Sequence, residues 1–139
     1  MSEERWRSFL LEQPRTAKLA TVRRDGSPHV APIWIDLDPD GTIVFTTAAT
    51  SLKGRTLKRD PRVCLCVDDE RPPFAFVIVE GTAELSEDPR ALLDAATRIG
   101  GRYMGAERAE EYGRRNGVPG ELLVRIRPSK VVAQEGIAD

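Results

Sequence analysis

Apolar residues recur along this chain with two periods, and the switches between them outline the fold. Trp6, Phe9 and Leu10 fall at helical spacing within Glu3–Glu12, which predicts a short amphipathic helix stopped by Pro14. Thr16–Val22 then mixes Leu, Val and Thr as a strand does. Arg24-Asp25-Gly26-Ser27 carries the Asp-Gly pair of a tight hairpin, and His29–Leu37 reads as the returning strand. Pro28 and Pro32 assign that strand to an edge or a bulge, because proline has no N–H for a ladder. After the turn Asp38-Pro39-Asp40-Gly41 come a third strand, Thr42–Thr47, a polar stretch, Ala48–Ser51, and a basic helix over Leu52–Arg59 that ends at Asp60-Pro61.

Val63–Val67 and Phe74–Leu85 read as strands four and five, with Gly81 marking a bulge or a close approach inside the fifth. Pro89–Tyr103 is helical, with Leu92, Leu93, Ala96 and Ile99 on one side, and Glu107–Arg115 is a second, charged helix. Gly113, Asn116, Gly117 and Gly120 break the chain there, and Leu122–Ala133 is a last strand that Pro128 bends or splits. Six strands, mostly joined by tight turns and therefore antiparallel, with helices placed to plug or cover them, describe a small, mainly β barrel with helices (α+β).

At 139 residues the chain suits one domain, 1–139, able to bury a real core. Its net charge of −1 gives no polyanion-binding field, so nucleic acid is not the expected partner and any anion site must be local. No apolar run approaches the roughly 20 residues needed to cross a bilayer, and the charged N-terminus lacks a signal-peptide core. Two cysteines, Cys64 and Cys66, lack the C-x-x-C spacing of redox or zinc motifs and read as small core hydrophobes. These features place the protein in the cytoplasm, with no membrane partner. One histidine, His29, is too few soft ligands for zinc, and no nucleophile-elbow sequence surrounds it. No G-x-G-x-x-G supports a Rossmann site.

Candidate chemistry concentrates in Thr46–Arg59. Hydroxyls and small residues leave a strand and enter a helix that carries Lys53, Arg55, Lys58 and Arg59 before any acid. Helix-start N–H groups, hydroxyls and cations together make an anion cradle, while the same charges also suit a solvated helix face. Alternation along Val30-Ala31-Pro32-Ile33-Trp34 puts Val30, Pro32 and Trp34 on one face and Ala31 and Ile33 on the other. Both faces are apolar and are expected to be covered, and Trp34 either joins the core or borders a flat ring. Along Val77–Leu85, small residues at Gly81 and Ala83 read first as ordinary strand packing, with room for a second subunit or a ligand as the other reading.

Taken in order, the run A-T-x-x-x-D-G-x-P-x-V-x-P-x-W over Ala20–Trp34, the strand Gly41–Thr47, the run K-x-R-x-L-x-x-D-P-R-V over Lys53–Val63 and the strand Val79–Leu85 resemble the pyridoxamine 5′-phosphate oxidase-like superfamily. The resemblance covers about Trp6 to Val132, and it is strongest to the coenzyme F420-dependent, deazaflavin-using reductases. It implies a six-stranded antiparallel split β-barrel of the FMN-binding type and a homodimer with cofactor sites at the interface. Val30, Pro32, Ile33 and Trp34 would line the cofactor ring. Phe45, Thr46, Thr47, Thr50 and Ser51 would follow its ribityl chain and phosphate. Lys53 and Arg55 would bind the phosphate and Arg59, or Lys58, the glutamate tail, with Ile78 and Glu80 supplied by the partner subunit. The implied activity is hydride transfer to an electron-poor small-molecule substrate. FMN-using oxidases place an Arg early in strand two and a Lys near its end. His29–Ile35 has neither, which favours F420 over the alternatives of an FMN-dependent enzyme or a non-catalytic carrier of flavin, F420 or haem.

Overall fold

The structure, a computed structural model, describes residues 1–139. Helix α1 (Glu3–Glu12) is capped by Ser2, whose hydroxyl accepts the Arg5 N–H, and it buries Trp6, Phe9 and Leu10. Seven strands follow in one antiparallel sheet: β1 (Ala17–Val22), β2 (Pro28–Ile33), β3 (Asp36–Leu37), β4 (Ile43–Ala48), β5 (Arg62–Asp69), β6 (Ala75–Ser86) and β7 (Glu121–Glu135). Helix α2 (Leu52–Arg59) links β4 to β5. Helices α3 (Pro89–Met104) and α4 (Ala109–Asn116), joined by a one-turn 3₁₀ segment, link β6 to β7. No helix is long and apolar enough to cross a membrane.

The strand count exceeds the six expected because His29–Leu37 is two strands. The order across the sheet is β2-β1-β5-β6-β7-β4-β3, so β2 and β3, separated only by Trp34 and Ile35, lie at its opposite edges. Two residues reach only about 10 Å. The sheet must therefore roll until its edges nearly meet, and it closes into a barrel with a seam at Trp34–Ile35. Side chains facing inward, among them Leu19, Phe45, Leu65, Val79 and Ile126, form the main core with α1 as its plug.

A smaller cluster of Val44, Leu92, Ala95, Ile99 and Leu123 holds α3 against the outside of β4 and β7. Tyr103 anchors this helix to the seam: its hydroxyl donates to the Arg15 carbonyl at 2.7 Å and accepts the Ile35 N–H at 3.0 Å. The Arg102 guanidinium donates to the Ile35, Leu10 and Leu11 carbonyls.

Several expectations change. Pro128 does not split the last strand, which runs unbroken over Glu121–Glu135. The ladder shifts register at Glu80/Gly81, where Gly81 pairs with Pro128 and Glu80 with Lys130, so the missing N–H falls at a bulge, as Gly81 had indicated. Gly113 does not break its helix but lies within α4, where a Cβ would meet the Thr97 side chain of α3. Cys64 and Cys66 share a face as expected, but it is the half-buried outward face of β5 rather than the core, because Val63, Leu65 and Val67 take the inward positions. Burial still pushes both thiols up from their ordinary range. Nor are both faces of β2 covered. Val30 is 64% exposed, since no element of this chain packs on the outside of that edge.

Candidate active site

The seam opens into a cleft of about 540 Å³. One side is the end of β2 and its continuation (Pro32, Ile33, Trp34). The other is the end of β4 (Thr46, Thr47) with Lys53 of α2, and Ala96 and Ile99 of α3, Arg115 and Asn116 of α4 and Glu121 of β7 complete the wall. The volume falls within the range of small-molecule sites. Two stretches far apart in sequence meet here because the β2–β3 crossing brings the two sheet edges together.

Local chemistry sets α2 against this cleft. Ser51 is its N-cap: its hydroxyl accepts the Gly54 N–H at 3.0 Å and donates to the Ala48 carbonyl at 2.7 Å. Its hydrogen being spent, the 3.0 Å contact with Thr47 has Thr47 as donor. Ser51 therefore positions the helix. Gly54 lets the helix lie directly on the end of β4. A Cβ there would sit 2.9 Å from the Ala49 carbonyl oxygen and nearer still to that of Ala48.

The cations of α2 do not form one cradle. Residues two apart on a helix point about 200° from each other. Lys53 accordingly lines the seam cleft, while Arg55 and Arg59 line a neighbouring open groove of about 550 Å³ with Arg23, Arg24, Asp25, Leu52 and Thr56. Arg59 also donates to the Val22 carbonyl at 2.7 Å, tying α2 to the hairpin. None of Arg23, Arg24, Lys53, Arg55, Lys58 and Arg59 is in an ion pair, whereas Arg5, Arg15, Arg71, Arg98 and Arg108 each grip carboxylates. The first acid after the run, Asp60, is committed to Arg62 at 2.7 Å, and that guanidinium holds its carboxyl down at about 2. Unpaired positive charge is thus concentrated around α2. Lys58 lines neither hollow, while Lys53, Arg55 and Arg59 do.

Of the residues singled out in the sequence, Pro32, Ile33, Trp34, Thr46, Thr47 and Lys53 line the seam cleft, and Arg55 and Arg59 the adjoining groove. Trp34 lines it with limited freedom: its ring stacks on Tyr103 at 5.0 Å between centroids and 3° between planes, with Tyr112 tilted beside it at 5.9 Å. Phe45 is wholly buried in the barrel core and lines neither hollow. Thr50 is exposed on the turn before α2. Val30, Ile78 and Glu80 project from the outer face of the sheet and line neither hollow. Sequence reasoning missed Arg115 and Asn116 because α4 reaches the cleft only through its packing on α3, and Glu121 because only the pairing of β7 with β4 brings it there. Arg23 and Arg24 had one available signal, their position beside the Asp-Gly turn.

Comparison with known proteins agrees with this architecture. The family model described as pyridoxamine 5′-phosphate oxidase matches residues 2–135. The 5a,11a-dehydrotetracycline/5a,11a-dehydrooxytetracycline reductase of Streptomyces rimosus is 29% identical over 133 residues, covering 86% of each chain. A crystal structure of a conserved hypothetical protein from Mycobacterium tuberculosis superposes with a TM-score of 0.86 at 31% identity, covering 98% of this chain and 86% of that one. A structure named F420 reductase superposes with a TM-score of 0.70 at 28% identity, covering 90% of this chain and 94% of that one. With the rolled sheet, its seam cleft and a family match over nearly its whole length, the chain belongs to the pyridoxamine 5′-phosphate oxidase family, and oxidoreductases are among its relatives.

Proposed function

We propose that this protein is an oxidoreductase that holds a deazaflavin of the coenzyme F420 type in the seam cleft and reduces an electron-poor small molecule. The observation that carries the reading is the unpaired positive charge on α2, with Lys53 in the cleft and Arg55 and Arg59 in the groove on another side of the same helix. A ligand with a ring, a phosphate and a polycarboxylate tail matches that sequence of surfaces: a slot, one cation, then several. The residues fit such a group. Pro32 and Ile33 offer apolar backing for the ring, Thr46 a hydroxyl on the facing edge, and Lys53 a charge at the mouth. Arg23, Arg24, Arg55 and Arg59 surround the groove with only Asp25 as an acid.

The cofactor when bound supplies the hydride chemistry, and the chain supplies position and exclusion of water. Helices α3 and α4 close one side of the cleft, clamped by the stacking of Trp34 on Tyr103 and by the Tyr103 hydrogen bonds. The names of two relatives, a dehydrotetracycline reductase and an F420 reductase, support a reductive direction and this cofactor.

A homodimer is part of the proposal. The outer face of the sheet carries Pro32, Val30, Ala20, Cys64, Cys66, Ile78 and Val132 in two adjoining cross-strand rows, with only Lys18, Glu80 and Lys130 among them charged. No helix of this chain covers it, and Ile78 and Glu80 lie there, away from the cleft of their own chain. Light scattering should give the mass of two chains, and a monomer at micromolar concentration overturns this part.

Titration with F420, followed by deazaflavin fluorescence beside a parallel FMN titration, tests the cofactor. Saturable F420 binding that weakens steeply with added salt is expected, because the contacts are charge on charge in partly exposed grooves. Tight FMN binding with no F420 binding overturns it in favour of an FMN-dependent enzyme.

A further inference from the structure

Glu121 is the only acid lining the seam cleft. It is the first residue of β7, paired with Ala48 at the end of β4, and its N–H donates to the Val118 carbonyl at 3.1 Å, so the tight turn before the strand fixes its place. Its Oε2 is buried and has no hydrogen-bond partner. Lys53 and Arg115 line the same cleft, yet neither forms an ion pair with it. A purely structural carboxylate would be expected to take one of these cations, since an unsatisfied buried acceptor is costly and tends to persist where a ligand needs it. Glu121 also lines a second, smaller cavity of about 200 Å³ with Glu87, Pro89, Leu92 and the turn Gly117–Gly120. It is thus the wall between the cleft and a separate hollow.

We propose that Glu121 is the proton-holding acid of the cleft: a ligand docking there takes up a proton onto its carboxyl, which then donates a hydrogen bond to an acceptor on that ligand. The inference rests on the reading of the cleft as an F420 site. The physical argument follows the groups that face Glu121. Burial already pushes its carboxyl up from the ordinary range, with no other cause acting. Lys53 from α2 and Arg115 from α4 are the cations facing the cleft. Glu87 faces the second cavity. Thr46 of β4, Ala96 and Ile99 of α3 and the segment Pro32–Trp34 bring no charge. An anionic ligand in the cleft adds its own negative charge and displaces water, and both changes favour the protonated carboxyl. Affinity is then greatest below the pKa of Glu121 in the free protein. It falls as pH rises toward the higher pKa of the complex and is flat above it.

The experiment is calorimetric titration of the full chain with F420 between about pH 5 and about pH 8, in paired buffers of different ionisation enthalpy, for wild type and Glu121→Gln. Glutamine has nearly the same shape and stays a neutral donor at every pH. Wild type should take up protons on binding and lose about tenfold in affinity for each unit by which the pKa is raised. Glu121→Gln should bind with the low-pH affinity throughout and take up none. Equal uptake in the variant, or pH-independent binding in wild type, overturns the inference while leaving the cofactor reading intact. Failure of F420 to bind at any pH overturns both. Should Glu121→Gln fail to fold, carboxyl carbon NMR of wild type decides. The Glu121 signal must titrate at higher pH with F420 bound than without, and an unmoved midpoint overturns the inference.

Discussion

Gly54→Ala is expected to destabilise the protein and to displace α2, against the direction that helix propensity predicts. In a free helix interior this change is worth about 1 kcal/mol in favour of alanine, because glycine loses more backbone entropy. Here a Cβ at position 54 would sit 2.9 Å from the Ala49 carbonyl oxygen, with the Ala48 carbonyl closer still, and both belong to backbone that cannot turn aside. Overpacking of this kind typically costs about 1–3 kcal/mol. The neighbouring contacts leave little slack, for the Ser51 cap, the Thr47 hydroxyl and the Leu57 side chain all hold α2 to the barrel. With two backbone oxygens in the way the steric term should win, giving a net loss of up to about 2 kcal/mol, and Gly54→Val should lose more. Urea unfolding measures this as a lower midpoint with an unchanged slope. A midpoint at or above that of wild type for Gly54→Ala would show that the helix does not lie as close to β4 as the structure has it.

The second large effect concerns binding. Lys53→Ala combined with Arg55→Ala is expected to weaken F420 binding by about 10²- to 10⁴-fold, since each charge-assisted contact contributes about 1.5–3 kcal/mol and about 1.4 kcal/mol is a factor of ten. Stability should be nearly unchanged, because neither side chain is in an ion pair or a core cluster. The split of α2 between two hollows adds a finer expectation. Lys53→Ala alone should weaken binding of the phosphate-bearing part, whereas Arg55→Ala should act mainly through the tail, and its effect should shrink as the tail is shortened. The measurement is the same fluorescence titration, made with F420 species of different tail length. Unchanged affinity in the double variant would remove α2 from the site.

Both expectations depend on the placement of one eight-residue helix, which the sequence could describe but not orient. That Leu52–Arg59 is helical follows from the Ser51 cap and the stop at Asp60-Pro61, both local features. That Lys53 and Arg55 belong to different hollows follows from helical geometry, but only once β4 and the Arg23–Arg24 hairpin are known to flank it.

Local chemistry in the chain determined most elements within a residue or two, the edge position of the proline-bearing second strand and the bulge at Gly81, because turns, caps and missing N–H groups act between near neighbours. It also singled out the segments that meet in the site. Only the tertiary structure decided that His29–Leu37 is two strands at opposite edges, since closure of a sheet depends on pairings between residues far apart in the chain. The same closure removed Phe45 into the core, turned Val30, Ile78 and Glu80 to the outer face, and brought Arg115 and Glu121 to the cleft. No periodicity could have announced Glu121. An acid at the start of a strand looks like any other until folding buries one of its oxygens without a partner in the wall of a cleft.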